Sequence, residues 1–273
     1  MPEAPEVQTV LSTLERQIKN IKIINVEVRY PRLIENMDSA EFENKLANQS
    51  IQSFFRIGKY LGFVTEKYDW ICHLRMEGKF YLLDENPSDP HIHAVFTLED
   101  GRYLCYHDTR KFGRMNLYDR LEDKKSHDCF KHVGQDFLDC DAEYVYEKMK
   151  RSQRPVKMGL LDQSIIAGIG NIYADEILYA CRLHPETLCS HLSMEDCQNI
   201  VFHTKRILNG AIRFGGTTIR SYTSSLGVTG RFQLKLKVHR KEAEACPNCG
   251  KPIIRIKVGQ RSTYLCPNCQ IKK

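Results

Sequence analysis

Two C-x2-C pairs near the end of the chain, Cys246-Pro247-Asn248-Cys249 and Cys266-Pro267-Asn268-Cys269, are separated by sixteen residues. Four thiolates in two knuckles at that spacing match the tetrahedral shell of a zinc ion held between the ends of a β-hairpin. One structural Zn2+ is expected, because four cysteines fill the coordination shell and leave no position for a catalytic water. Between the knuckles, 253–258 and 262–265 read as strands, so Gly259-Gln260-Arg261 is predicted as the hairpin tip, with Arg261 projecting from it. The other seven of the eleven cysteines are scattered. With no secretory signal at the start, they predict small apolar fillers instead of disulfides.

Charge is distributed as unevenly as cysteine. The net charge is +6, but residues 201–273 carry 15 Lys/Arg against only Glu242 and Glu244, which puts +13 there and leaves −7 for residues 1–200. The basic segment also holds Ile, Leu, Phe and Tyr at strand-like spacing, so it reads as a folded polyanion-binding surface with nucleic acid as the leading partner. A lipid surface fits less well, since no basic amphipathic helix accompanies the charge. No run approaches the ~20 apolar residues of a membrane span. A cytoplasmic protein without membrane association is expected.

In chain order, Val7, Val10, Leu11, Leu14 and Ile18 follow helical spacing. Beyond them, 21–28, 51–57, 60–65, 70–74, 79–83, 94–98 and 103–106 are short β-rich runs broken by turn signals, the pattern of an antiparallel sandwich or barrel. Residues 119–136 are charged and aperiodic, and read as an interdomain connection. Helical periodicity returns at 142–151, 156–161, 172–182 and 193–208, the last opened by Ser193 and Asp196 as a capping pair. In Gly168-Ile169-Gly170-Asn171-Ile172-Tyr173, Asn171 is expected to cap the next helix and leave its N–H groups for an anion; a plain helix–helix turn is the alternative reading. Residues 215–231 are rich in Gly, Ser and Thr, which suits either an element closing over a ligand or a linker.

The opening Met1-Pro2-Glu3-Ala4-Pro5-Glu6 carries a possible reagent. Met before Pro is a start from which the methionine is normally trimmed, and the free secondary amine of Pro2 would then be a nucleophile. An α-amino group titrates near ~8, against ~10.4 for Lys, so much more of it is neutral at physiological pH. Condensed with an aldehyde carbon, a secondary amine gives an iminium with no N–H to lose, an electron sink suited to eliminations. Glu3 is placed to protonate a leaving oxygen. The plain alternative is a frayed terminus with a Pro helix start. Three further stretches set cations beside apolar side chains: Arg56 to Tyr60 with Lys59, His73 to Gly78 with Met76, and His107 to Arg114 with Arg110 and Phe112. Singly they are ordinary charged loops; together they match cations for phosphates plus wedges between bases.

Met-Pro-Glu-x-Pro-Glu-Val, Lys59, His-Leu-Arg-Met at 73–76, Asp-x-Arg-x-Phe-Gly at 108–113, Gly-Ile-Gly-Asn-Ile-Tyr at 168–173 and the cysteine hairpin occur in one order over essentially the whole chain. That set resembles the formamidopyrimidine-DNA glycosylases. The resemblance implies an α+β fold: an N-terminal helix plus antiparallel β-sandwich domain (1–130), a helix–two-turn–helix domain with a lesion-capping loop (131–230), and a β-hairpin zinc finger (231–273). It implies a monomeric bifunctional glycosylase and AP lyase that acts on damaged double-stranded DNA, excises oxidised purines such as 8-oxoguanine and formamidopyrimidines, and nicks by β,δ-elimination. Pro2 would form the Schiff base, Glu3 act as acid, Lys59 assist elimination, and Arg261 grip phosphates and serve the δ step. His73, Met76, His91, Arg110, Phe112, Asn171 and Tyr173 would contact DNA. Met76, Arg110 and Phe112 would fill the void left by the flipped nucleotide, and Glu77, Ser221 and Tyr222 would meet the lesion base. Departures are few: Ala4 stands where Leu is common, Thr109-Arg110-Lys111 replaces Pro-Arg-Arg, and Ser152 stands near an expected phosphate-binding cation. The competing readings are an endonuclease VIII-type enzyme for oxidised pyrimidines, which would not be expected to keep the Arg110/Phe112 loop, and a non-catalytic zinc-ribbon DNA-binding protein.

Overall fold

The structure, a computed structural model, describes residues 1–217 and 230–273. They fall into two compact units, Met1–Lys131 with Gly215–Gly230, and His132–Phe214 with Arg231–Lys273.

The first unit opens with α1 (Ala4–Ile18), whose buried stripe is Val7, Val10, Leu11, Leu14 and Ile18. There follow β1 (Ile23–Val28), α2 (Ser39–Leu46), β2 (Ser53–Ile57), β3 (Tyr60–Val64), β4 (Tyr68–His73), β5 (Lys79–Leu83), β6 (Ile92–Leu98), β7 (Tyr103–His107) and β8 (Arg114–Asp119). The strands make two antiparallel sheets of four, ordered β1-β6-β7-β5 and β2-β3-β4-β8. Their inner faces interdigitate through aromatic rings. Trp70 of β4 stacks on Phe63 of β3 at 4.0 Å and meets Phe96 of β6, from the other sheet, at 4.3 Å. Trp70, Phe63, Phe80, Phe96 and Tyr106 have no exposed surface, and each of the three phenylalanines contributes about 1.5–3 kcal/mol by burial. This sandwich matches the expected one.

Within this unit, one helix and one strand stand where neither was expected. Helix α2 has only Phe42 and Leu46 as buried residues and is capped by Asp38, which accepts from the Glu41 N–H at 3.0 Å. So short a helix shows too little periodicity to be read from sequence. Strand β8 pairs in register with β4 and buries Met115 and Leu117. Part of the expected interdomain connection is also firmly attached. Asp69 in β4, fully buried, accepts from Lys124 Nζ at 2.8 and 2.9 Å and from the Leu121 N–H at 3.1 Å, and lies 2.8 Å from His127 Nε2. A buried carboxylate needs such partners, and this one pins residues 121–127 to the sheet.

The second unit contains β9 (Gln135–Asp136), α3 (Ala142–Met149), α4 (Val156–Leu161), β10 (Ile166–Ala167), α5 (Asn171–Ala180), α6 (Met194–Arg213), β11 (Ile254–Val258) and β12 (Arg261–Leu265). Ser193 and Asp196 form the expected capping box on α6. Helix α5 is unusual in burying two carboxylates, Asp175 and Glu176. Glu176 accepts the N–H groups of Lys237, Val238 and His239 at 2.9 Å each. Burial pushes its carboxyl up, while those three donors pull it down.

Strands β11 and β12 form the hairpin with Val258↔Arg261 as its last pair. The tip is therefore Gly259-Gln260, both with positive φ (50° and 64°), as a two-residue primed turn requires. Arg261 is the first residue of β12 instead of part of the tip. No helix among the described residues is long and apolar enough to cross a membrane.

Candidate active site

In the first unit the terminal amine lies in a charged setting. Burial lowers the pKa of the Met1 amine, and the charges it senses are Glu3, Glu6, Lys59 and Glu77. Glu3 and Lys59 are buried to 2% and 4% exposure. Two features assemble this setting. Glu6 Oε2 accepts the Glu3 N–H at 2.9 Å, so the first turn of α1 fixes the residues leading into it. The other Glu6 oxygen, Oε1, accepts from the N–H of Thr217 at 2.8 Å and from its hydroxyl at 3.0 Å. Lys59 occupies the turn between β2 and β3, where Arg56 donates to the Gly58 carbonyl at 2.7 Å and to Gln8 of α1 at 3.1 Å. That pair of bonds ties the turn to the helix bearing the terminus.

His73 ends β4 and is 8% exposed. Burial, reinforced by the Arg75 and Lys59 charges, lowers its pKa to about 3. Its Nδ1 accepts the Arg75 N–H at 3.0 Å, so the neutral ring carries its proton on Nε2 and is left with a donor that bears no charge.

The two loops with the expected wedges are fastened together. Asp108, fully buried, accepts the N–H groups of Arg110, Phe112 and Gly113 at 3.0, 3.0 and 2.8 Å, folding 109–113 around one carboxylate. Thr109 Oγ1 donates to Glu77 Oε2 at 2.5 Å, joining this loop to 74–78. The Tyr106 hydroxyl fits between Gly78 and Gly113, where a Cβ would stand 2.1 Å and 1.7 Å from it; only glycine permits that approach. Met76 and Phe112 stay 37% and 46% exposed on these rigid loops, with the Arg110 guanidinium 4.7 Å from the Phe112 ring. Large apolar side chains held in the open on fixed backbone suit insertion between bases. His91 is also exposed, immediately before β6, its ring 5.7 Å from that of His107.

In the second unit, Asn171 does not cap α5. Gly170 holds the cap position without a side-chain bond, and Asn171 is the first helical residue. Its Nδ2 donates to the Ser262 carbonyl of β12 at 3.0 Å, while Oδ1 is enclosed with no partner among the described residues. Tyr173 is fully buried with its ring 5.9 Å from Phe232, so any contact it makes to a ligand falls to its backbone. Arg261 is exposed. Ser221 and Tyr222 lie outside the described residues.

The four hairpin cysteines bring their sulfurs within 4.8 Å of one another. The Cys246–Cys269 and Cys249–Cys266 sulfurs are 3.8 and 3.5 Å apart, near the ~3.8 Å edge of a tetrahedron with Zn–S bonds of ~2.3 Å. Donors surround them: the Asn248 N–H is 3.4 Å from Cys246 Sγ, its Nδ2 3.3 Å from Cys269 Sγ, and the Tyr179 hydroxyl 3.3 Å from Cys246 Sγ. Such donors stabilise thiolates. The donor set fits one structural zinc.

Sequence signals did not reveal Glu6, Asp108 or Asp69 as organisers. Nor did they reveal Lys157, which is fully buried and bonded to Asp175 at 2.7 Å. Among these, only the Asx-type bonding of Asp108 to residues two to five positions on had a local signal.

Comparison with known proteins agrees with this geometry. Residues 1–115 match the formamidopyrimidine-DNA glycosylase N-terminal domain, 134–223 the formamidopyrimidine-DNA glycosylase H2TH domain, and 243–271 a zinc finger found in FPG and IleRS. A formamidopyrimidine-DNA glycosylase of Oceanobacillus iheyensis is 42% identical over 261 residues, covering 93% of this chain and 92% of the relative. Lactococcus lactis Fpg, solved in complex with DNA containing an abasic site, superposes with a TM-score of 0.91 at 37% identity, over 99% of this chain and 100% of that one. A mutant of the Lactococcus protein, solved with Fapy-dG-containing DNA, gives the same TM-score, identity and coverage. Domain matches in this order, with relatives this similar over nearly the whole length, place the chain in the formamidopyrimidine-DNA glycosylase family.

Proposed function

We propose that this protein is a bifunctional DNA glycosylase and AP lyase that excises oxidised purines from duplex DNA and then cleaves the strand by β,δ-elimination. The observation that carries the reading is the terminal amine, its pKa lowered by burial, in the field of Glu3, Glu6, Lys59 and Glu77. With Met1 removed, the secondary amine of Pro2 takes this place. Pro2 is itself buried, and burial disfavours the charged form of an amine, which favours the nucleophilic one.

Pro2 attacks C1′ and displaces the base. Glu3 protonates the sugar oxygen, and the resulting iminium acidifies the neighbouring C2′–H. Lys59, almost buried beside the terminus, serves the proton transfers of the first elimination. Met76, Arg110 and Phe112 occupy the gap left by the everted nucleotide, and Glu77 lies next to them for the lesion base. His73, His91, Asn171 and Arg261 hold phosphates. Arg261 also serves the second elimination. Damaged DNA is the partner, and we place the protein in the cytoplasm as a monomer.

The test is borohydride trapping of the mature protein on duplexes carrying 8-oxoguanine, an oxidised pyrimidine or an abasic site. A covalent adduct on 8-oxoguanine duplex, with excision of the purine lesion faster than of the pyrimidine, is the expected result. Acetylation of the terminus should abolish it. Binding without an adduct would leave only a damage-recognition protein, and faster pyrimidine excision would reassign the specificity.

A further inference from the structure

One buried cation in the second unit is connected to the first residue of β12. Lys157, on α4, has no exposed surface. Its Nζ lies 2.7 Å from Asp175 Oδ1, 2.7 Å from Thr263 Oγ1 and 3.1 Å from the Ser262 carbonyl. These three acceptors match the three protons of the ammonium. The second oxygen of Asp175 is 2.7 Å from His239 Nδ1. Thr263, also fully buried, donates its hydroxyl proton to the Arg261 carbonyl at 3.0 Å.

The geometry of the hairpin explains why these groups are reachable. With a two-residue tip, the Val258↔Arg261 pair is hydrogen-bonded, so the next pair, Lys257↔Ser262, is not, and Ser262 turns its carbonyl away from β11. There it receives both Lys157 and Asn171 Nδ2. The hydroxyl of Thr263 is polarised by the ammonium, which strengthens its bond to the Arg261 carbonyl.

We propose that Thr263 is a positioning residue for Arg261: its hydroxyl, held by the Lys157 ammonium, fixes the Arg261 peptide and hence the direction in which the guanidinium leaves the hairpin. The inference rests on the proposed role of Arg261 in the second elimination. A hydroxyl that only satisfied Lys157 would matter for stability alone. A hydroxyl that aims Arg261 matters for one chemical step and not for the Schiff base made by the other unit's terminus.

The experiment uses the full-length, zinc-loaded protein in excess over an abasic-site duplex, so that one turnover is followed. Borohydride-trapped adduct and the ratio of δ- to β-elimination product are read together. Thr263→Val removes the hydroxyl at nearly constant volume. It should trap at the wild-type level yet carry out the second elimination about tenfold more slowly, and Thr263→Ser should restore it. Should Thr263→Val fail to fold by circular dichroism, Thr263→Ala, whose freed volume admits a water to Lys157, is read for the same ratio. A wild-type product ratio in the folded variant, or equal loss of trapping and of both eliminations, overturns the proposal. Arg261→Ala is measured beside it: if that variant keeps the wild-type ratio, the underlying role of Arg261 fails, whereas loss there with no change at Thr263 rejects this inference alone.

Discussion

At the scale of single residues, the site depends on side chains whose state is set by burial. His73 gives a pH-dependent stability with a definite sign. Its folded pKa is about 3, against ~6.5 for an unperturbed imidazole. Between those values the unfolded chain binds a proton that the native protein does not. The stability from keeping the ring neutral is therefore present above pH ~6.5 and lost as pH falls toward 3, at up to about 1.4 kcal/mol per pH unit. Urea unfolding at pH 7 and pH 4.5 should show His73→Gln losing less stability on acidification than the wild type. An equal loss would contradict the buried neutral imidazole. Motif residues such as Lys59, Met76, Arg110 and Phe112 were visible in sequence because their chemistry sits in short local patterns. Glu6 was visible only as a member of the opening motif. Its grip on Thr217 spans 211 positions, and no local pattern encodes a partner at that distance.

At the scale of elements, two hairpins carry cations assigned to chemistry, and both are held from outside. The β2–β3 turn is held by Arg56 and α1, the β11–β12 hairpin by Lys157, Asn171 and the cysteine cluster. Stripping zinc leaves four thiols within 4.8 Å without their ion, and structural zinc sites contribute folding energy directly. A strong chelator should release one zinc per chain and abolish duplex binding. Trp70 is the only tryptophan and lies fully buried in the sandwich of the first unit, so its emission maximum should not shift. A red shift on chelation would mean that the sandwich also depends on the metal. The hairpin was legible because cysteine spacing is a local signal, but the position of Arg261 was not. Assigning the tip to two residues depends on the Val258↔Arg261 pairing, a register that apolar alternation alone leaves open by one residue.

At the scale of the whole molecule, phosphate contacts make affinity depend on salt. Each phosphate neutralised by a cation adds about 0.9 to the slope of log K against log salt. Arg261→Gln should flatten that slope by about this amount, while His73→Gln, which removes a neutral donor, should weaken binding at a nearly unchanged slope. An unchanged slope for Arg261→Gln would remove it from the phosphate contacts. The zinc hairpin, the antiparallel sandwich, most helices and the ordered motifs of the family were legible along the chain, since each is written in contiguous spacing or periodicity. Which polar groups are buried, and what they hold, became apparent in the folded chain alone: Asp69 fixing 121–127, Asp108 shaping the 109–113 loop, Asn171 reaching Ser262, and Lys157 joining α4 to β12 across 106 positions. The reason is physical. A buried charge must find compensating partners in space, and those partners are selected by packing, which brings together residues that the chain keeps far apart.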